Sequence, residues 1–288
     1  MNSSAASRLR HLVNGPELVV APGCYDGITA RMVEAAGFPA AYMTGAGVAA
    51  SLGYPDYGLI TMNEMADRAA VIARTLSVPL ISDADTGYGN ELNITRTVRE
   101  FEDRGVAAIH LEDQQSPKRC GHLAGKQLIS REEYVSKIRA AVAARRNLDF
   151  MIIARSDART VTSFDDAVER VNAALAAGAD IGFIESPLSI EEVIATPQRV
   201  NGPCLLNLVQ GGRTPYPDLA EVHRLGYRLA IVPAALLVPT LVAGDAALAA
   251  IRDRGMPLAP PAELDIRELF RRFGAEEWDE VRRRVEGS

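Results

Sequence analysis

Two short stretches of this chain place acidic side chains where they could do chemistry. Asp-Ala-Asp-Thr-Gly (residues 83–87) follows the apolar run 78–82, and His-Leu-Glu (110–112) closes a second apolar run. Both runs are typical of buried parallel strands, whose carboxyl ends meet at one edge of a sheet. Carboxylates that converge there favour a hard divalent cation. The candidate metal ligands are Asp83, Asp85, Glu112 and, from a nearby loop, Asp56.

Magnesium is the cation that these ligands favour. Carboxylates are hard ligands, and the chain has no Cys-x-x-Cys or His-x-x-x-His spacing of the kind that zinc sites use. A structural alternative exists for Asp83 and Asp85, because Asp before Gly commonly caps a turn.

A cysteine in a polar loop is the second chemical feature. Cys120 stands within Lys-Arg-Cys-Gly-His (118–122), and cationic neighbours lower the pKa of a cysteine. The polar, glycine-containing surroundings predict an exposed, mobile loop, so we expect Cys120 to act as an acid or base. Cys24 and Cys204 lie in apolar strand contexts and are predicted to be structural. Three widely spaced cysteines fit reduced thiols better than a disulfide framework.

Several further polar residues end predicted strands. His110 lies inside an apolar run, which is equally compatible with a hydrogen-bonded core histidine and with a functional role. Arg155 could bind a substrate carboxylate with both arms of its guanidinium, or form a salt bridge with Asp157 or Glu185. Glu185 and Asn207 end two more strands, so both are candidates for the same site.

The elements around these residues alternate between strand and helix. Eight apolar runs of strand length begin near residues 17, 40, 78, 106, 150, 181, 204 and 229, each followed by a helix or a helix-sized segment. This pattern predicts the α/β class and a closed (β/α)8 TIM barrel. The candidate residues end five or more strands, which is typical of a barrel active site and too many for the switch point of a doubly wound sheet.

The predicted barrel domain spans residues 1–256, and residues 257–288 are predicted to form a linker and C-terminal helices. Pro-Leu-Ala-Pro-Pro (257–261) is a stiff linker, and the apolar residues between 264 and 273 follow near-helical spacing. An amphipathic helix beyond such a linker needs a surface that buries its apolar stripe. Its own barrel and a neighbouring subunit are equally compatible with the sequence.

Composition excludes several other classes of function. The net charge of −6 and the pI near 5.4 give no basic surface, so we expect no nucleic-acid binding. The longest apolar run, 229–241, is too short to cross a membrane and contains two prolines. The polar start of the chain lacks the apolar core of a signal peptide, and we therefore expect a cytoplasmic location.

Four motifs together resemble the isocitrate lyase and phosphoenolpyruvate mutase superfamily. They are Ser-Asp-Ala-Asp-Thr-Gly-Tyr-Gly-Asn (82–90), His-Leu-Glu-Asp-Gln (110–114), Lys-Arg-Cys-Gly-His (118–122) and Ile-Ala-Arg-Ser-Asp-Ala (153–158). Their order and spacing span most of the chain. The loop with Cys120 resembles the lyase branch, which includes 2-methylisocitrate lyase, dimethylmalate lyase and oxaloacetate hydrolase, whereas the mutase branch usually lacks that cysteine.

The resemblance implies a Mg²⁺ or Mn²⁺ ion near Asp83 and Asp85, with Asp56 and Glu112 reaching it directly or through water. It also implies that a substrate carboxylate is held at residues 44–46, where the family more often has Ser-Gly-Gly. The residues implied in substrate binding are Thr44, Gly45, Ala46, Gly121, His122, Arg155, Glu185, Asn207 and Thr214.

The activity implied by the resemblance is retro-aldol cleavage of a 2-hydroxy di- or tricarboxylate, such as 2-methylisocitrate or dimethylmalate, to a 2-oxo acid and a carboxylate. Tyr42 matches a tyrosine proposed as the base in the lyases, and Cys120 is the candidate proton donor, with His110, Glu112 and Arg155 completing the catalytic set. The alternatives within the superfamily are oxaloacetate hydrolysis or decarboxylation and phosphonomutase chemistry. The family also implies dimers that exchange their last barrel helices and pair into tetramers.

Overall fold

The centre of the molecule is a closed barrel of parallel strands. The computed structural model describes residues 3–215, 217–259, 261 and 264–287. Within them, eight strands pair in chain order and β8 closes onto β1. They are β1 (Val19–Cys24), β2 (Ala41–Met43), β3 (Leu80–Asp83), β4 (Ala108–Glu112), β5 (Met151–Ser156), β6 (Ile181–Ile184), β7 (Cys204–Asn207) and β8 (Leu229–Val232). The predicted (β/α)8 barrel is confirmed.

Helices follow the strands along the chain. In the described residues they are α1 (Ala5–Asn14), α2 (Gly27–Ala35), α3 (Gly45–Ser51), α4 (Met62–Thr75), α5 (Glu91–Asp103), α6 (Arg131–Ala144), α7 (Phe164–Ala176), α8 (Ile190–Arg199), α9 (Leu219–Arg224), α10 (Leu237–Arg254), α11 (Ile266–Arg271) and α12 (Ala275–Glu286). Side chains cap the starts of most of these helices, as Asp26 at α2 illustrates: its Oδ1 accepts a hydrogen bond of 2.8 Å from Thr29 N.

Strand register brings the predicted site residues together. Asp83 on β3 pairs with His110 on β4, and Glu112 pairs with Arg155 on β5. All five residues of β4 are buried, as apolar strands covered by helices must be. The carboxyl ends of β3, β4 and β5 therefore present acids and an arginine to one region.

Two helices are not evident from the sequence. The small residues Gly45-Ala46-Gly47 suit a turn, but they begin helix α3, because Thr44 caps that helix and accepts a hydrogen bond from Gly47 N. The polar start of the chain, for which no element was predicted, forms α1, and Leu9 and Val13 bury the apolar side of that helix.

The chain divides into two compact units, Met1–Leu237 and Val238–Ser288. The domain boundary predicted after residue 256 lies later in the chain than this division, because nearly all of α10 belongs to the second unit. The predicted boundary stays a prediction. Inside the second unit the C-terminal segment forms two helices, α11 and α12. Part of the predicted linker, Pro260, lies outside the described residues.

The second unit exposes large apolar side chains. Leu248 on α10 is 67% exposed and Trp278 on α12 is 72% exposed. No helix among the described residues has both the length and the apolar character that a membrane span requires. The predicted cytoplasmic location stays a prediction.

Candidate active site

A cavity of about 110 Å³ opens at the carboxyl ends of the barrel strands. Strand ends and two loops line it, and most of the predicted catalytic and binding residues are among them. Those residues are Tyr42, Thr44, Ala46, Asp56, Asp83, Cys120, Gly121, His122, Arg155, Glu185 and Asn207.

The loop between β4 and α6 brings Cys120 to this cavity. Cys120 N donates a hydrogen bond of 3.2 Å to Asp56 O, and Leu123 N donates one of 2.9 Å to Cys120 O. The side chain of Gln114 bonds both the N and the O of Arg119, at 2.9 and 2.8 Å. The position of the thiol is thus set by several contacts on both sides of it.

The predicted environment of Cys120 was wrong in one respect. The residue is half-buried, and burial raises the pKa of its thiol. The adjacent cations have other partners: Lys118 bonds Asp56, and the guanidinium of Arg119 lies 5.8 Å from the centre of the Tyr57 ring. A raised pKa keeps the thiol protonated at neutral pH, which is the state that a proton donor needs.

Carboxylates surround the ammonium group of Lys118. Its Nζ donates to Asp56 Oδ1 and lies 2.8 Å from Asp85 Oδ1. Although burial opposes it, the charges of these two residues and of Asp83 and Glu112 hold the pKa of Lys118 well above its usual range. The ammonium group of Lys118 thus lies between Asp56 and Asp85, and Asp83 and Glu112 are near enough to act on its charge.

Asp83 and Asp85 are not both part of an extended strand. Asp85 follows the end of β3 with φ of 46°, and its N donates a hydrogen bond of 2.9 Å to Asp83 Oδ1. Asp83 Oδ2 instead packs against Gly45, where an added Cβ would lie only 2.5 Å from it. Only glycine fits at position 45 with this placement of Asp83.

The oxygen atoms around Lys118 suit a hard divalent cation. Glu112 is 1% exposed, and its Oε1 has no hydrogen-bond partner among the described residues. Burial raises the pKa of Glu112 well above its usual range and that of Asp85 to about 6, which a nearby cation would reverse. In the described part of the chain, however, no three His, Cys, Asp or Glu side chains are arranged as ligands of one ion.

Arg155 is held in place by Asp157. Its Nε lies 2.9 Å from Asp157 Oδ2 and its Nη2 3.1 Å from Asp157 Oδ1, so both carboxylate oxygens are used. Arg155 Nη1 lies 3.2 Å from Glu112 Oε2. The salt bridge weighed as an alternative is therefore present, and Arg155 lines the cavity as well.

Glu185 is paired on several sides. Its Oε1 lies 3.1 Å from His122 Nε2, and its Oε2 accepts a hydrogen bond of 3.1 Å from Asn207 Nδ2. Burial alone would raise its pKa, but Arg155, His122 and Asn207 outweigh burial and hold the pKa of Glu185 below its usual range. This carboxylate is charged at neutral pH and orders the residues around it.

Tyr42 and His110 bond each other inside the barrel. The hydroxyl of Tyr42 lies 2.8 Å from His110 Nε2, and the two rings stack with centroids 5.8 Å apart. Burial lowers the pKa of His110 to about 4, and burial together with Asp83 raises the pKa of Tyr42 well above 10. Both side chains are therefore neutral at neutral pH. The role of Tyr42 as a base stays a prediction.

A family model described as phosphoenolpyruvate phosphomutase matches residues 9–252 of this chain. The chain belongs to the phosphoenolpyruvate mutase/isocitrate lyase superfamily. The 2,3-dimethylmalate lyase of Eubacterium barkeri is 52% identical over 233 residues, which are 81% of this chain and 81% of that protein. The 2-methylisocitrate lyase of Aeropyrum pernix is 46% identical over 247 residues, 86% of this chain and 80% of the relative.

Solved structures of the superfamily match the whole barrel. Oxaloacetate acetylhydrolase in complex with the inhibitor 3,3-difluorooxalacetate superposes with a TM-score of 0.95 at 41% identity, covering 99% of this chain and 98% of that one. Phosphonopyruvate hydrolase in complex with oxalate and Mg²⁺ superposes with a TM-score of 0.89 at 29% identity, covering 98% and 99%. The superfamily is one of metal-dependent enzymes that act on small carboxylates.

A few residues that the superfamily motifs predicted lie beside the cavity instead of lining it. Gly45 and Asp85 line a smaller adjoining cavity with Asp56. Thr214 lies in the segment after β7, buried, with an Oγ1 that has no hydrogen-bond partner among the described residues. His110 lies deeper in the barrel, under Tyr42. The roles predicted for these residues stay predictions.

Sequence reasoning missed three charged residues of this superfamily site. Lys118 was considered only as a neighbour of the cysteine, because its partner Asp56 lies 62 positions earlier in the chain. Asp157 was considered only as a partner of Arg155, and Lys126 was not considered. A signal for the lysines was available: the chain has 28 arginines and three lysines, Lys118, Lys126 and Lys137, all within one stretch of 20 residues.

Proposed function

We propose that this chain is a Mg²⁺-dependent carbon–carbon lyase that cleaves a 2-hydroxy dicarboxylate or tricarboxylate. With 2,3-dimethylmalate, breaking the C2–C3 bond makes C2 the carbonyl carbon of pyruvate and C3 the α-carbon of a saturated carboxylate. The relatives named as lyases support this class of reaction. The observation that carries the proposal is that a half-buried thiol, whose pKa is raised by burial, shares one cavity with Asp83 and Arg155.

The metal is proposed to bind among the carboxylates that surround Lys118. The unpartnered Oε1 of Glu112 and the raised pKa of Asp85 support a cation there. When bound, Mg²⁺ supplies Lewis acidity, which lowers the cost of deprotonating a 2-hydroxyl group. The proposed ligands, directly or through water, are Asp56, Asp83, Asp85 and Glu112.

The remaining steps belong to side chains of the cavity. Arg155, oriented by Asp157, binds a substrate carboxylate, and Thr44 faces the same cavity. The 2-hydroxyl group gives its proton to the proposed base, Tyr42, whose own proton passes to His110 Nε2 along their hydrogen bond. The O–H electrons form the C2=O bond, and as the C2–C3 bond breaks, its electron pair passes to C3 and the adjoining carboxylate. The S–H bond of Cys120 then breaks, its proton goes to C3, and the thiolate regains a proton from water. The contacts that hold the Cys120 loop keep water away from C3.

The test is a coupled assay for pyruvate release with Mg²⁺ and a panel that includes 2,3-dimethylmalate and 2-methylisocitrate. The proposal expects turnover of at least one member and none of the corresponding 2-deoxy acids, which lack the hydroxyl that must be deprotonated. Wild-type protein that binds these acids but turns none of them over would refute the proposal.

Oxaloacetate hydrolysis is the second candidate, because the chain superposes on oxaloacetate acetylhydrolase with a TM-score of 0.95. Water would replace the retro-aldol step, and the products would be oxalate and acetate. Measuring oxalate release from oxaloacetate, beside pyruvate release from 2,3-dimethylmalate, separates the two reactions. A hydrolase would release oxalate from oxaloacetate orders of magnitude faster than it releases pyruvate from 2,3-dimethylmalate.

We also propose that the chain forms homo-oligomers in which α10 of one copy covers the barrel of another. The first unit carries an apolar groove of about 220 Å³, lined by side chains such as Met32, Phe38 and Leu236. The apolar residues of α10, including Leu241 and Leu248, are exposed. Light scattering should give a dimer or tetramer, and Leu241→Asp with Leu248→Asp should reduce its mass. A monomeric wild type would refute this assembly.

A further inference from the structure

Lys126 is the structural feature that the proposed reaction leaves without a role. It lies six residues after the candidate proton donor, its side chain is 1% exposed, and its Nζ lies 3.0 Å from Asp157 Oδ1. The same Nζ donates a hydrogen bond to Gly121 O, the carbonyl group next to Cys120. One ammonium group thus links the loop that carries the thiol to the carboxylate that orients Arg155.

Gly121 is confined on its other side by the same arginine. A Cβ added at Gly121 would lie 2.5 Å from Arg155 Nη2 and 2.6 Å from Glu185 Cγ. The main chain of the loop therefore packs directly on the guanidinium while Lys126 holds its carbonyl oxygen. Two contacts from different directions fix the distance between Cys120 and Arg155.

Asp157 completes this linkage. It is fully buried, both of its oxygens bond Arg155, and its N donates a hydrogen bond of 2.8 Å to Asp113 Oδ1. Ser156 Oγ donates to the other oxygen of Asp113 at 2.6 Å. Asp157 directly follows β5 and is anchored to Asp113, which directly follows β4, so Lys126 fastens the middle of the loop to a point held at the strand ends.

The use of lysine in this chain supports a specific role for the ammonium group. All but three of its 31 basic residues are arginines, and each of the three lysines is at least nine-tenths buried. A compact ammonium group can donate to a carbonyl and a carboxylate in a narrow space, whereas a planar guanidinium needs room for its fork. The lysine at position 126 therefore fits the geometry of this contact and does not merely supply a positive charge.

We propose that Lys126 and Asp157 are positioning residues that clamp the Cys120 loop against Arg155. The clamp sets the thiol at the place where the developing carbanion must be protonated, and it keeps the thiol shielded between turnovers. This role rests on the proposed lyase function for its catalytic consequence, but the shielding of the thiol does not depend on any activity.

The test measures thiol reactivity and turnover in the full-length chain. Cys24 and Cys204 are buried, so iodoacetamide should modify Cys120 first, and Cys120→Ala identifies that signal. In Lys126→Met the modification rate should rise at least fivefold, and trypsin should cut after Arg119 sooner than in wild type. If lyase turnover is found, kcat should fall about 10²-fold with KM changed less than threefold, since a misplaced group costs about that much.

Two further variants keep the outcome interpretable. Lys126→Met with Asp157→Asn removes both charges together, so it avoids an unpaired buried charge and should fold while still exposing the thiol. Lys137→Met removes a lysine of α6 for which the described residues show no hydrogen bond or ion pair with the loop, and it should leave both the alkylation rate and kcat within twofold of wild type. A folded Lys126→Met protein with wild-type alkylation rate overturns the clamp. Absence of lyase turnover in wild type would instead refute the proposed function and leave the thiol measurement valid.

Discussion

The two sides of the candidate site differ in how well their charges are balanced. On the acid side, comprising Asp56, Asp83, Asp85 and Glu112, two carboxylates contact the ammonium of Lys118, and Glu112 Oε1 has neither a hydrogen bond nor an ion pair among the described residues. On the thiol side, comprising Cys120, Gly121, His122, Arg155 and Glu185, the carboxylate of Glu185 and the guanidinium of Arg155 are bonded on several sides. The difference fits the proposal that the acid side receives a cation while the thiol side holds its groups in place.

One loop supplies both sides. Lys118 and Cys120 are two residues apart and both line the cavity, yet Lys118 Nζ contacts the carboxylates of Asp56 and Asp85. Binding of a cation among the acids would therefore act on the anchor of the same loop that carries the thiol. Substitutions on each side can test whether charge is unbalanced on the acid side and balanced on the thiol side.

The largest expected effect on stability is that of Lys118→Met. In EDTA this change leaves carboxylates buried without their ammonium partner, which should lower the free energy of unfolding by about 3–5 kcal/mol. Mg²⁺ should restore much of the loss, because a cation can take the place of the ammonium group. Urea unfolding in EDTA and in Mg²⁺ measures both numbers. If the variant in EDTA had the same free energy of unfolding as wild type, the charges of the acid side would be balanced without Lys118.

A matched pair of glutamate changes should separate the two sides next. Glu185→Gln removes a charge that Arg155, His122 and Asn207 stabilise, so the free energy of unfolding should fall by about 3 kcal/mol. Glu112→Gln removes a charge that burial disfavours, so in EDTA the protein should be as stable as wild type or more stable. Thermal unfolding in EDTA compares the two variants. Equal losses would contradict the difference between the sides.

Two glycine changes should give the smallest effects, of about 1–3 kcal/mol each, from overpacking. Gly45→Ala forces Asp83 to move and should weaken Mg²⁺ binding, as measured by titration calorimetry. Gly121→Ala presses on Arg155 and Glu185 and should reduce turnover while leaving Mg²⁺ affinity close to wild type. The opposite assignment, with Gly121→Ala affecting the metal alone, would show that the sides are not separate.

The barrel could be predicted from the sequence because its strands are apolar runs of suitable length. β6 and β8 begin and end at the predicted residues, and the acids of β3 and β4 were expected at strand ends. Helix α3 was missed because Gly45 and Gly47 lower helix propensity, and the cap by Thr44 with tertiary packing outweighs that cost.

The partners of Lys118 and the environment of Cys120 could not be predicted for a different reason. Neighbours along the chain suggested that Lys118 and Arg119 would lower the pKa of the thiol. Pairing across the fold decides the outcome instead, because Asp56 comes from a distant loop and burial dominates at Cys120. The chain order of charged residues shows which groups reach a site but not which of them pair there.

The most direct test of the account is turnover by Cys120→Ala in saturating Mg²⁺ and 2,3-dimethylmalate, or whichever 2-hydroxy acid the wild type cleaves. Thermal shift by the same substrate serves as the control for binding. The account predicts a substrate-induced shift like that of wild type and a kcat lower by about 10²–10⁴-fold, the usual contribution of a proton donor. A bound substrate turned over within threefold of the wild-type rate would contradict the assignment of the thiol as proton donor.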